Sequence, residues 1–329
     1  MSALSLAEIT VWVAAAFERY GCSKDNAQSV ARALVAAEAD GLKGHGLSRV
    51  PTYLQMVRSG KIDGKARPST TRPRHAVLAI DAACGFAYPA IDLAVSELPE
   101  LASEHGIAVA SIYRSNHCGA AGLPCEVLAR SGLVVLLFAN TPSAIAPWGG
   151  RQPVFGTNPI AFAAPLEGRH PAVVDIALSK VARGSIVAAK QRGEAIPEGW
   201  ALDIDGNSTT DATKALLGTM IPLGDAKGAA LAFMVEILAA CVPGANLAFE
   251  ASSFLNGQGP PPATGQLILA IDPVAFGHGR FTERMATLIA AIERQSGARL
   301  PGARRLANRA RVERDGITIP PEIEAAMQV

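Results

Sequence analysis

Hydrophobic residues recur at helical intervals through the first sixty positions and then give way to short β-branched runs. Ser5 and Glu8 have capping-box spacing, and Leu6, Ile9, Val13 and Phe17 follow along one side of a predicted first helix. A second helix is expected over about 26–38, with Val30, Leu34 and Val35 on one side and Asp40-Gly41 ending it. A third starts at Ser48, with Pro51 in its first turn, Val50, Leu54 and Val57 as its buried stripe and Gly60 as its stop.

Past the Pro- and Arg-containing stretch 67–74 the texture changes. Candidate strands fall at 76–80, 107–113, 133–138, 160–164, 173–176 and 267–271. Helical patterns lie between several of them, at 90–104, 123–131, 180–192, 227–242 and 281–294. Such alternation predicts an α/β core. Segments 193–212 and 252–265, rich in Gly, Pro, Asn and Asp, read as loops, and no repeat or linker stands out.

With 329 residues, 49% of them hydrophobic and 18% charged, the chain can bury a large core and is neither disordered nor fibrous. Its net charge of +1 supplies no long-range field toward nucleic acid or an anionic membrane, and neither partner is expected. Five cysteines without CxxC spacing predict reduced thiols and no metal cluster. Glu8 stands where a signal peptide would carry a basic region, and no apolar run reaches about 18 residues. A cytoplasmic location without a membrane span is the expectation.

Gly44-His45-Gly46-Leu47-Ser48-Arg49 puts an imidazole and a guanidinium four residues apart at a helix entrance, on one face if the turn is helical. A 2-oxo or 2-hydroxy acid needs a proton donor at its C2 oxygen and a clamp on its carboxylate. Histidine titrates near neutrality, and arginine binds carboxylates bidentately. A Gly-rich turn beside a surface ion pair accounts for the same residues without chemistry. A second cluster, Ser115-Asn116-His117-Cys118-Gly119-Ala120-Ala121-Gly122, joins a strand to a helix, where α/β sheets gather ligands. Its small residues suit either close approach of a phosphate at a helix N-terminus or a plain tight turn.

Neither GxGxxG after the first strands nor GxxxxGKS/T occurs, which disfavours a Rossmann dehydrogenase and a P-loop protein. GxSxG and HExxH are absent as well. The stretch from Asn140-Thr141-Pro142 to Gly156-Thr157-Asn158-Pro159 is dense in turn formers, as loops that build sites often are. Lys227 opens a long apolar helix, which an anionic ligand or plain solvent exposure explains equally. Arg304, Arg305, Arg309, Arg311 and Arg314 form a basic run suited to dinucleotide phosphates, to solvent or to an intersubunit face.

Five segments in order resemble the type 2 malate/L-lactate dehydrogenase family over nearly the whole chain. They are His45 to Arg49, Ser115 to Gly122, Pro147-Trp148-Gly149-Gly150 through Pro159, Val174-Asp175, and Leu223-Gly224 with Lys227-Gly228. The resemblance implies an NAD(P)-dependent oxidoreductase and a homodimer. It also implies a non-Rossmann three-layer α/β core with a mixed sheet, and an N-terminal helical domain. The helical domain would span 1–72, completed by 300–329, and the cofactor-binding core 73–299. By resemblance, His117, Cys118, Gly119, Ala120, Ala121, Thr157, Asp175, Ile176, Ala177 and Lys227 fall on cofactor-contacting positions and Arg49 on the substrate carboxylate position. Arg304 and Arg305 join them as candidate partners of a 2′-phosphate, which favours NADP(H) over NAD(H). Proton transfer belongs to the His45 position in imine-reducing members and to the His117 position in the ureidoglycolate-oxidising one; His45 is the first choice here.

Imine-reducing members carry a serine before that histidine and an aspartate beyond the Asp175 segment, forming a relay. Here Gly44 and Ser185 stand at those positions. Lacking the carboxylate, His45 loses the group that would orient it and stabilise its protonated form. The expected reaction is hydride transfer between nicotinamide C4 and C2 of a small 2-hydroxy or 2-oxo acid of malate, lactate or sulfolactate type. Reduction of Δ1-pyrroline- or Δ1-piperideine-2-carboxylate and a non-catalytic dinucleotide-binding role are the alternatives.

Overall fold

The computed structural model describes residues 3–328. Helices α1 (Leu6–Arg19), α2 (Lys24–Ala39) and α3 (Val50–Arg58) bury the apolar stripes that their spacing predicts, and the Ser5–Glu8 capping box is present. The stripe of α3 differs in detail: Tyr53 and Met56 are buried with Val50 and Leu54, while Val57 is half-buried. These helices share one apolar cluster with Ile319, Ile323 and Met327 from the end of the chain. Phe86 and Tyr88 join the same cluster and tie it to the α/β core.

The core runs β1 (Ser69–Arg74), β2 (Val77–Asp81), α4 (Ala87–His105), β3 (Ile107–Ser115), α5 (Gly122–Arg130), β4 (Val134–Ala139), β5 (Ile160–Ala164) and β6 (Ala172–Ile176). After α6 (Arg183–Arg192) come the two-residue strands β7 (Ala201–Leu202) and β8 (Ser208–Thr209), α7 (Ala212–Leu217) and β9 (Thr219–Met220). Then follow α8 (Ala226–Glu236), β10 (Thr264–Ile271), α9 (Phe281–Glu293), α10 (Ala303–Asp315) and α11 (Pro321–Gln328).

Seven strands form one mixed sheet in the order β1-β2-β3-β10-β4-β5-β6. Only β2 and β3 pair in parallel, across α4; the other pairings are antiparallel. Alternation along the strands sends Leu78, Ile80, Ala108, Ala110, Ile112, Ala161 and Ala163 to the face covered by α4 and α5, and the many alanines let those helices approach closely. Val109, Leu136, Phe138, Ile160 and Leu267 point the other way, toward α6 to α8 and the small β8-β7-β9 sheet. Helices on both faces make the three-layer core that was expected.

Several elements depart from the sequence reading. β1 lies in the Pro- and Arg-containing stretch; as an edge strand it is almost wholly exposed, so it carries no apolar alternation. β7 and β8 fall inside the segment read as a loop. The helix expected over 227–242 is α-helical to Glu236 and closes with one π-helical turn, Ile237–Cys241. The basic C-terminal run is helix α10, which packs on α2. Among the described residues no helix is long and apolar enough to cross a membrane.

Candidate active site

His45 and Arg49 do not ride one α-helix. Two 3-10 turns, Lys43–His45 and Leu47–Arg49, carry them, broken at Gly46. The break has a steric cause: a Cβ on Gly46 would lie 2.3 Å from Glu38 Oε2 and 3.0 Å from the backbone of α2. Glu38 Oε2 in turn accepts from Leu47 N at 3.0 Å. Arg49 Nε donates to Gly44 O at 2.7 Å, and among the described residues no carboxylate pairs with its guanidinium. Two nitrogens of a rigid fork therefore remain for an anionic ligand.

The β3 end brings His117 to the same place. Its ring stacks on His45 with centroids 5.3 Å apart and an interplanar angle of 18°. Tyr53 Oη lies 2.5 Å from His117 Nδ1 and 3.1 Å from Tyr88 Oη, which makes a buried chain of two hydroxyls and an imidazole. Phe254 sits at 5.3 Å from His117, tilted by 57°. By contrast, His45 Nδ1 is buried with no hydrogen-bond partner.

Burial, with the charge of Arg49 added, holds the His45 imidazole down at about 4. Burial, Arg49 and His45 together hold His117 well below the ordinary imidazole value. Burial raises Tyr53 to about 12 and Tyr88 well above the usual phenol value. At neutral pH the chamber thus holds neutral imidazoles and phenols beside one cation, Arg49.

The ends of β4 and β6 and the start of β5 supply a second strip on the same edge of the sheet. Thr141 and Thr157 hydroxyls lie 3.3 Å apart, and Thr157 N donates to Thr141 Oγ1 at 2.9 Å. Next to them Asn158 adopts φ +37°, a left-handed conformation held by Nδ2 donating to Glu236 Oε2 at 2.7 Å and to Ala232 O at 3.0 Å. Glu236 also accepts from Ala248 N and Asn140 Nδ2, so one buried carboxylate ties three loops together.

The small residues of the 117–122 loop turn out to face protein. A Cβ on Gly119 would lie 2.6 Å from Tyr88 Oη, and one on Gly122 3.0 Å from Asp175 Cβ. Asp175 Oδ2 accepts from Gly122 N at 2.8 Å, so the amino end of α5 already holds an anion of its own chain. Cys118, Ala120 and Ala121 are buried, and burial, with Asp175 nearby, pushes the Cys118 thiol up to about 12. Ile176 is exposed, Ala177 and Thr157 are half-buried, and Lys227 is exposed on α8.

The arginines of α10 divide into two groups. Arg305 and Arg309 pair with the buried Asp40 and Glu126 at 2.7–2.9 Å, which joins α10 to α2 and α5. Burial alone would raise the Glu126 carboxyl, but hydrogen bonds from Arg309 and Arg130 and the charge of Arg305 hold it down at about 2. Arg305 keeps one buried nitrogen, Nη2, without a partner. Arg299 and Arg304 are exposed and form no ion pair among the described residues. They border a cavity of about 620 Å³ that also touches Gly41 and Leu42, just before the turn carrying His45. A second cavity of about 480 Å³ continues from Arg299 and Leu300 toward His170.

The structure therefore brings His45, His117 and Arg49 together, with Thr157 and Asp175 on one sheet edge nearby. Sequence reasoning missed Tyr53, Tyr88, Phe254 and Glu236. Tyr53 had a signal, since it lies one helical turn beyond Arg49. Phe254 and Glu236 had none.

The family pattern described as malate/L-lactate dehydrogenase matches residues 4–328. The chain is 50% identical over 308 residues to the (2R)-3-sulfolactate dehydrogenase (NADP(+)) of Chromohalobacter salexigens, covering 93% of this chain and 91% of that one. It is 39% identical over 328 residues to the Δ1-pyrroline-2-carboxylate reductase of Ancylobacter novellus, covering 99% and 96%. Among solved structures, the Δ1-piperideine-2-carboxylate reductase of Pseudomonas syringae superimposes with a TM-score of 0.94 at 36% identity, covering 100% and 99%. The sulfolactate dehydrogenase of Methanocaldococcus jannaschii gives 0.89 at 28%, covering 99% and 95%. A match along the whole sequence and the same fold at the same length make one conclusion: the chain belongs to the malate/L-lactate dehydrogenase family.

Proposed function

We propose that the protein interconverts a small 2-hydroxy acid and its 2-oxo acid with NADP(H) as cofactor, sulfolactate and sulfopyruvate being the first pair to test. As a member of a family of dehydrogenases and reductases the chain is an enzyme, so the non-catalytic reading falls. The observation that carries the substrate reading is the unpartnered His45 Nδ1, with Gly44 before it in sequence and a serine, not a carboxylate, at 185. An imidazolium that is to protonate an imine nitrogen gains from an anionic partner, and His45 Nδ1 has none. The 50% identical relative named for sulfolactate and NADP(+) points the same way.

The residues lining the paired cavities fit a dinucleotide. Arg299 and Arg304 present free guanidinia, and Arg305 Nη2 is a buried donor awaiting an acceptor. When bound, the nicotinamide accepts a hydride from C2 in oxidation and returns it in reduction. Arg49 clamps the carboxylate through the two nitrogens that Gly44 O leaves free. His117 Nε2 takes the proton of the C2 hydroxyl, with His45 stacked beside it. To act as base His117 must carry its own proton on Nδ1, donated to the Tyr53 hydroxyl, which leaves Nε2 bare. Tyr53 can in turn donate to Tyr88, and the imidazolium formed in oxidation returns the Nε2 proton in reduction. The Tyr53 contact supports His117 ahead of His45 as the proton-exchanging group, the reverse of the order taken from the resemblance.

A helical module over 1–72, closed by 300–329, would then deliver Arg49 and His45 to a core over 73–299. The chain is further proposed to act in the cytoplasm as a homodimer, through the exposed Phe233, Met234, Ile237 and Val242. Reduction of cyclic ketimines is the second reading, favoured by the full-length superposition on the piperideine-carboxylate reductase. Sulfopyruvate, oxaloacetate, pyruvate and both cyclic ketimines, each assayed with NADPH and NADH, separate the two. The highest kcat/KM should fall on a 2-oxo acid with NADPH; a ketimine in first place would replace the proposal.

A further inference from the structure

Between the π-helical turn and β10 the chain makes a long loop whose middle leans across onto α3. Gly257 lies so close that a Cβ there would come within 3.0 Å of both Gln55 Cγ and Ser59 Oγ. Just beyond α3, Lys61 is 2% exposed and aims its ammonium into this loop. Nζ donates to Ser253 O at 2.6 Å, Gln258 O at 2.7 Å and Asn256 O at 3.1 Å. All three ammonium protons are thus used on the carbonyls of one short turn, and no carboxylate pairs with Lys61 among the described residues. Burying a lone ammonium is expensive, and a hydrophobic residue would fill the space at less cost. What the ammonium adds is direction, because three acceptors at fixed places define the path of the turn.

Within that turn Phe254 is 7% exposed, and its ring lies against the imidazole of His117. We infer that Lys61 and Phe254 are one positioning unit, in which the ammonium fixes the 253–258 turn and the ring shields His117 from water and limits the substituent at substrate C3. The loop is rooted in the core through β10 and pinned to the helical module through Lys61, so it spans the two bodies that supply His117 and Arg49. The inference rests on the reading of His117 as the proton-exchanging group. His117 is faced by Arg49, His45 and Tyr53 from the helical side, with Tyr88 of α4 behind Tyr53, and by no carboxylate among the described residues.

Two variants test the unit. Phe254→Ala changes no charge, admits water to His117 and opens space. Lys61→Met frees the turn but also removes a cation, so the charge-neutral variant carries the comparison. The first readout is the titration of His117 followed by NMR on the full chain carrying labelled imidazoles, with the signal assigned by its loss in His117→Gln. Both variants should move the titration upward from the wild-type position, and the double variant should move it little beyond Phe254→Ala alone. The second readout is the ratio of kcat/KM for phenylpyruvate to that for pyruvate, which should rise by about tenfold in Phe254→Ala. An unmoved titration and an unmoved ratio in Phe254→Ala would overturn the inference. So would full additivity in the double variant, since Lys61 would then act by another route. If the wild type turns over no 2-oxo acid, the functional reading fails and the titration alone decides the role of Lys61 and Phe254.

Discussion

The Asp40–Glu126–Arg305–Arg309 cluster and the His45–His117–Tyr53–Tyr88 chamber are both buried and polar, yet they satisfy burial by different means. In the cluster two carboxylates meet two guanidinia at 2.7–2.9 Å and their charges cancel, while the half-exposed Arg130 adds a further bond to Glu126. In the chamber the imidazoles and phenols are neutral, one imidazole nitrogen has no partner, and the lone cation Arg49 is left uncancelled. Ion pairing binds α10 to α2 and α5, with Arg305 Nη2 left over. The uncancelled guanidinium of Arg49 is the group there suited to an anion. A ligand site is recognisable here by what its own chain leaves unsatisfied.

Removing the chamber's oriented imidazole should have the largest effect. His117→Gln is expected to lower kcat by about 10²- to 10⁴-fold, and His45→Gln by less. Steady-state kinetics with NADPH and the preferred acid check this, and a larger loss in His45→Gln would return proton transfer to that residue. Next comes the cluster: Glu126→Gln leaves Arg305 and Arg309 short of an anion and should cost about 3–5 kcal/mol of stability, read by chemical unfolding. Its activity below the transition should persist, which no chamber variant should match.

Acid separates the two regions more gently. Both histidines are held below the ordinary value of 6.5 in the folded state, so the unfolded chain binds their protons first. Stability tied to them is present above about pH 6.5 and is lost as pH falls toward 4. Glu126, held at about 2 against an ordinary 4.5, contributes stability above pH 4.5 that is lost as pH falls through 2. Melting temperature against pH should therefore fall in two windows, the upper flattened by His45→Gln and the lower by Glu126→Gln. Within the chamber, a bound carboxylate offsets Arg49 and should raise the imidazole, so the acid limb of kcat should lie at higher pH than that of kcat/KM. The smallest expected change is in cofactor choice: Arg304→Ala should raise KM for NADPH by about tenfold and leave that for NADH nearly unchanged.

Much of this was legible along the chain because local pattern and packing agree. The capping box of α1, the alternation in β3 to β5 and the run of alanines in the sheet all state their environment within a few residues. His45, Arg49 and His117 were also legible, because their types suit acid–base and carboxylate chemistry. Their mutual arrangement was not, since it depends on a break at Gly46 forced by Glu38 and on a contact between α3 and the end of β3. Phe254 reads in sequence as one more turn residue, and Arg305 as a free cation, because Asp40 and Glu126 lie far away in sequence. The exposed strand β1 hides for the opposite reason, having no buried face to declare.

The carboxylate of Asp175 on the amino end of α5 bears on how dinucleotide preference can be altered. A designer working from glycine-rich loops would substitute within 117–122, but those positions are braced by Tyr88 and Asp175, and bulk there would disturb the fold before it touched a phosphate. On the proposed cofactor site, exchange of one dinucleotide for the other is better sought at the exposed Arg299 and Arg304.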